Sequence, residues 1–171
     1  MHSVKTDRIL RATIAVLLAM LVYVIYAAIH ERVVVAGDQA PEFTITADSG
    51  RSISVPNFGG KLLVLNFWAS WCGPCIEETP SLTKFAQDYA GKGVVVLGIS
   101  VDRDEKAYKT FLQKYAPGFL TARELIIHEQ YGTFMYPETY IIDAKGKVLL
   151  KIAQAADWTD SKMTGYINSL L

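Results

Sequence analysis

Residues 12–29, ATIAVLLAMLVYVIYAAI, form a run without a single charge. As a helix the run would span about 27 Å, close to the hydrocarbon thickness of a bilayer. A helix packed in a soluble core carries a polar stripe, and this one has none. The run therefore predicts a transmembrane anchor and removes itself from any globular core. A cleaved signal peptide fits poorly, because the run is long and ends Ala27-Ala28-Ile29-His30 without a small-x-small site. Lys5, Arg8 and Arg11 precede it against Asp7, whereas His30, Glu31 and Arg32 follow with no clear positive excess. The positive-inside rule then places residues 1–11 in the cytoplasm and all that follows the anchor outside. Tyr23 and Tyr26 lie where an aromatic belt meets the outer interface.

What remains is long enough for one domain. Residues 30–39 read as a linker and 40–171 as the domain. Residues 43–46 and 52–55 alternate about Asp48-Ser49-Gly50 and predict a hairpin. Leu62-Leu63-Val64-Leu65-Asn66-Phe67 and residues 94–100 are continuous apolar runs, which suit central strands covered on both faces. A helix is expected after the first of these, reaching Tyr89, ended by Gly91 and kinked at Pro80, with Ile76, Leu82, Phe85 and Tyr89 inward. Asp102 and Glu105 resemble a capping box for a second helix carrying Tyr108, Phe111, Leu112 and Tyr115 on one side. Residues 124–131 read as a weaker helix, and 138–143 with 147–152 as a hairpin about Ala144-Lys145-Gly146. Residues 159–171 read as a closing helix with Met163, Tyr166, Ile167 and Leu170 inward. Strands alternating with helices predict an α/β domain with helices on both faces of one sheet.

The chain has only two cysteines, Cys72 and Cys75. A disulfide between them closes a very small loop and staples nothing distant, so the pair points to chemistry. Cys72 follows a buried strand and opens a helix. The free N–H groups and partial positive charge there favour a thiolate, the nucleophile of disulfide exchange. Cys75, one turn on, is placed to resolve the mixed disulfide. Gly73 keeps the turn unobstructed, and Pro74 fits a first helical turn, where its missing N–H costs nothing. A zinc site lacks ligands, since only His2, His30 and His128 remain with no ligand spacing among them. Haem attachment wants His after the second cysteine, and Ile76 stands there. Lys plus Arg is 17 and Asp plus Glu is 17, so no basic footprint for nucleic acid exists.

The stretch Asn66-Phe67-Trp68-Ala69-Ser70-Trp71-Cys72-Gly73-Pro74-Cys75 resembles the active-site signature of thioredoxin-fold proteins, and within them the ResA/TlpA group of membrane-tethered thiol-disulfide oxidoreductases. Gly37-Asp38-Gln39-Ala40-Pro41-Glu42-Phe43, Glu78-Thr79-Pro80, Pro137 and Asp143-Ala144-Lys145-Gly146-Lys147 extend the resemblance across residues 37–171. It implies a thioredoxin fold, with a central mixed sheet, an N-terminal β-hairpin and an inserted helix near residues 101–116. Cys72 and Cys75 are implied as nucleophile and resolving thiol, and Pro137, after Tyr136, as a cis-proline lying against the dithiol. Trp71, Gly73, Pro74, Tyr136 and Pro137 would then shape the substrate site. Asn66 departs from cytosolic thioredoxins, which place a buried Asp there. Glu78 matches an acidic residue of the ResA group and is the candidate proton carrier for Cys75, whereas Glu77 reads as surface and His128 is given no role.

The expected function is extracytoplasmic thiol-disulfide exchange at the bacterial cytoplasmic membrane, on the periplasmic side. Its direction is expected to be reduction of exported protein disulfides such as that of apocytochrome c, supplied by a membrane electron donor. No cofactor or metal is expected beyond the dithiol itself. Three other readings stand beside it: a peroxiredoxin-like peroxidase, a thiol oxidase, and a non-catalytic peptide-binding module. The peroxidase would want Thr three residues before its cysteine, and Ala69 stands there.

Overall fold

The computed structural model describes residues 2–29 and 33–171, with side chains for 7–26 of the first stretch. The Lys5 side chain and the His30-Glu31-Arg32 flank, used above for orientation, lie outside the described residues. Helix α1 (His2–Ile29) belongs to one compact unit and Val33–Leu171 forms the other. Within α1, Asp7–Tyr26 has a mean hydropathy of 2.3 and is long and apolar enough to cross a membrane. The helix extends N-terminal of the apolar run because residues 2–11 contain neither Gly nor Pro to stop it.

The second unit is built on a five-stranded mixed sheet of order β5-β4-β3-β6-β7. Strands β3 (Leu62–Trp68), β4 (Val94–Ser100) and β5 (Leu120–Arg123) are parallel; β6 (Glu138–Asp143) runs antiparallel to β3, and β7 (Val148–Ile152) antiparallel to β6. All seven residues of β3 and all seven of β4 are buried, as their unbroken apolar runs require. On one face Leu62, Val64, Val94, Val96 and Ile141 meet α2 (Gly73–Tyr89) and α5 (Ser161–Leu170) through Leu82, Phe85, Tyr89 and Ile167. The other face carries Leu63, Leu65, Phe67 and Ile142 and is covered by the hairpin of β1 (Thr44–Thr46) and β2 (Ser52–Ser54) and by α4 (Ile127–Gln130). The inserted helix α3 (Glu105–Tyr115) sets Tyr108 and Phe111 against Trp68 beside the two cysteines. This is a thioredoxin-like α/β fold, as expected.

Several local expectations change. Residues 33–39 are not a linker: Val34 is in the core, and the N–H groups of Val34 and Gly37 donate to Tyr131 and Val148. Strand β5 is an addition to the expected elements: a four-residue edge strand without alternation carries no strand signature in the sequence. The weaker helix shrinks to α4. Helix α2 runs unbroken through Pro80 and passes into a short 3₁₀ turn that ends at Gly93 in the left-handed region rather than at Gly91. Ile76 packs with the dithiol cluster rather than with Leu82 and Phe85. The cap of α3 is Asp104, whose Oδ1 accepts from Lys106 and Ala107, and Asp102 is freed for another task.

Candidate active site

The chain leaves β3 at Trp68 and reaches the N-terminus of α2 in a turn of four residues. Cys72 is the cap of α2, and its Sγ accepts the Cys75 N–H at 3.2 Å. A thiolate at that sulfur would meet the same N–H and the positive end of the helix. Cys72 and Cys75 form a disulfide, and both are buried, at 6% and 3% exposure. Their bed is apolar: Trp68, Ala69, Val101, Tyr108 and Phe111, with the Trp68 and Phe111 rings 4.4 Å apart. Gly98 on β4 makes room for this, since a Cβ there would come within 2.9 Å of Trp68 Nε1 and 2.8 Å of Phe119.

Across the dithiol lies the 133–138 loop. The Tyr136–Pro137 bond is cis, as the resemblance implied, and the Tyr136 carbonyl oxygen stands 3.4 Å from Cys72 Sγ. Trp71 is 68% exposed, so it is a rim residue and not a core aromatic. Its ring meets Tyr136 edge-on at 5.9 Å. Burial, then the charges of Glu138 and Glu129, hold the Tyr136 hydroxyl above its ordinary value, so it stays protonated near neutral pH. Gly73 and Pro74 occupy the first turn of α2. Phe134 and Met135, 73% and 58% exposed, extend the apolar rim on the loop side. His128, given no role from sequence, places its ring 6.0 Å from that of Tyr136.

Glu78 is buried, not solvent-facing. Its Oε1 accepts from Trp158 Nε1 at 2.7 Å and the Ala156 N–H at 3.1 Å; its Oε2 accepts from Asn66 Nδ2 at 3.3 Å. Asn66 also donates to Thr139 Oγ1 at 2.8 Å. Burial raises the Glu78 carboxyl above its ordinary value, and the Trp158, Ala156 and Asn66 donors pull part of that back. Among the described residues, the carboxylate is thus held by nitrogen donors from β3 and the 153–160 loop. Glu78 shares the buried side of α2 with Cys75, one turn away.

Among the described residues, two further acids are buried, and neither is marked as such by the sequence. Asp102, 1% exposed, accepts from the Ser70 N–H at 2.8 Å, Ser70 Oγ at 2.7 Å and Ser100 Oγ at 2.7 Å. Glu138, directly after Pro137, accepts from Thr133 Oγ1 at 2.5 Å and from the Tyr140 hydroxyl, and pairs with Lys151 Nζ at 3.2 Å. Neither has a local signature, because each partner other than Ser100 and Tyr140 lies at least five residues away.

The AhpC/TSA family profile matches residues 36–151. ResA, a thiol-disulfide oxidoreductase of Bacillus thuringiensis subsp. konkukian (strain 97-27), is 32% identical over 136 residues, covering 78% of each chain. The chain belongs to the AhpC/TSA family and, within the thioredoxin superfamily, to the ResA-like thiol-disulfide oxidoreductases. The thioredoxin-like protein YneN of Bacillus subtilis (strain 168) is 37% identical over 115 residues, covering 66% of this chain and 68% of that one. Among solved structures, a thiol-disulfide oxidoreductase from Bacteroides fragilis NCTC 9343 superposes with a TM-score of 0.66 at 28% identity, covering 78% of this chain and all of that one. The chain is accordingly an oxidoreductase acting on thiols and disulfides, with Cys72 and Cys75 as its CxxC pair.

Proposed function

We propose that this ResA-like protein is an extracytoplasmic reductant of disulfides in exported proteins, apocytochrome c among them, held to the membrane by α1 with residues 1–11 inside. The observation that carries the direction is the setting of Cys72 Sγ. It has one N–H donor, from Cys75, and one carbonyl oxygen, from Tyr136, at 3.4 Å. The carbonyl's negative end opposes a thiolate there and offsets part of the stabilisation that the N-terminus of α2 supplies, which favours a reducing dithiol over a potent oxidant. The anchor reading rests on Asp7–Tyr26 and on the charge balance before it.

The reaction needs no added cofactor. Reduced Cys72 attacks one sulfur of the substrate disulfide as a thiolate, forming a mixed disulfide and expelling the other substrate sulfur as a thiolate, which takes up a proton. Cys75 loses its proton and attacks Cys72 Sγ, releasing the second substrate thiol and leaving the Cys72–Cys75 disulfide. Two electrons pass to the substrate, and a membrane donor returns them. Glu78, one turn from Cys75 and with its proton affinity raised by burial, takes the Cys75 proton. Trp71, Tyr136 and Pro137 receive the substrate chain.

Titration of the full chain in glutathione buffers tests the direction: a potential near that of thioredoxin, about −270 mV, is expected, and one near −120 mV overturns it. A Cys75→Ser variant should trap exported proteins as mixed disulfides through Cys72. Peroxide turnover matching disulfide turnover would favour a peroxidase instead.

A further inference from the structure

The turn that presents Cys72 is fastened to the end of the neighbouring strand by a buried carboxylate. Trp68 O accepts the Val101 N–H at 2.9 Å, and Ala69 O accepts the Cys72 N–H at 3.1 Å. Between them Ser70 gives both of its donors to Asp102: its N–H goes to Oδ2 and its Oγ–H to Oδ1. Ser100 Oγ completes the set by donating to Oδ2 and accepting the Asp102 N–H at 3.0 Å. From β5, Arg123 donates to the Asp102 backbone carbonyl at 3.3 Å, so the guanidinium bonds the main chain rather than the carboxylate.

A neutral acceptor would satisfy one orphan N–H without the desolvation cost of a charge. Hydrogen bonds to an ionised acceptor are shorter and about twice as strong, and the three here fall at 2.7–2.8 Å. Strong, two-point fixation is spent at the one place where β3 hands over to the dithiol. Exchange demands it, because the attacking sulfur, the sulfur attacked and the leaving sulfur must align, and small misplacements there are costly in rate.

We propose that Asp102 is a positioning residue for thiol-disulfide exchange: by clamping both donors of Ser70 it holds the 69–72 turn so that Cys72 Sγ rests on the N-terminus of α2. It touches neither sulfur and acts through Ser70. The inference rests on the exchange activity and not on its direction, so a potential that overturned the reductant reading would leave it standing.

The test compares full-length wild type with Asp102→Asn and Ser70→Ala in detergent. Its readouts are the pH profile of Cys72 alkylation in the reduced protein, the glutathione potential and the urea midpoint. Loosening the turn withdraws the helix N–H groups from Cys72. Both variants should therefore move the alkylation profile to higher pH and slow attack on a small disulfide, by about tenfold for Asp102→Asn, equivalent to 1.4 kcal/mol, and by less for Ser70→Ala. Ser70→Ala keeps the carboxylate and one of its clamps, so it carries the test if Asp102→Asn does not fold. A profile moving to lower pH in Asp102→Asn would show the lost negative charge acting directly, which overturns positioning through Ser70. Variants that lose stability alone, with profile and potential unchanged, would reduce Asp102 to a structural acid and overturn the proposal.

Discussion

Replacing Lys151 by Met should be among the most damaging single changes outside the dithiol. Lys151 Nζ and Glu138 Oε1 are 3.2 Å apart, with side chains 16% and 6% exposed. The pair is shielded from solvent, unlike the exposed Lys84–Asp88 bridge, whose side chains are 64% and 49% exposed. Methionine keeps most of the stem volume but leaves the Glu138 carboxyl buried without its cation, and among the described residues Thr133 and Tyr140 remain to answer it. Breaking a buried pair in this way costs about 3–5 kcal/mol. For a domain of this size that corresponds to a fall in Tm of roughly 10–20 °C. Pairing Lys151→Met with Glu138→Gln should return stability to within about 1 kcal/mol of wild type, since the amide oxygen still accepts from Thr133 and Tyr140 and no lone charge remains. Urea unfolding followed by tryptophan fluorescence measures both. A loss below about 1 kcal/mol in the single variant would mean that the pair behaves like a surface bridge, and a double variant no better than the single would refute the lone-charge argument.

Glu78→Gln should slow disulfide reduction and alter its pH profile. The stability sign also follows: the folded Glu78 is raised, chiefly by burial, so it favours the fold while protonated. That contribution is full below its ordinary 4.5 and is lost as pH rises through the raised value. Wild type should therefore lose stability relative to Glu78→Gln across that window, and parallel urea series that do not diverge would remove the argument. Trp158→Phe keeps a ring against Phe85, now 5.2 Å away, but deletes the donor to Glu78; it should cost about 1.5–3 kcal/mol at a pH where Glu78 is ionised and move the Glu78-dependent limb of the rate profile to higher pH. Gly98→Ala pushes a methyl into Trp68 and Phe119 and should cost about 1–3 kcal/mol by overpacking, read from the urea midpoint.

Local pattern carried much of this molecule. An uncharged run wrote the apolar helix, two unbroken apolar runs wrote β3 and β4, and a dithiol between strand and helix wrote the chemistry, because periodicity and helix-terminus electrostatics act within a few residues. The cis bond before Pro137 was legible only through resemblance, since an isolated X-Pro pair favours trans. Tertiary structure alone decided the rest. Val34 joined the core because Tyr131, far along the chain, offered its carbonyl. Strand β5 exists because the β4 edge pairs with it. Asp102 resembles a helix cap in sequence, and only the parallel pairing of β3 with β4, which sets their C-terminal ends side by side, brings Ser70 to it; Glu78 meets Trp158 only because α2 and the 153–160 loop pack together. A buried acid is defined by its partners, and register and layer packing bring those partners together from distances that no sequence window spans.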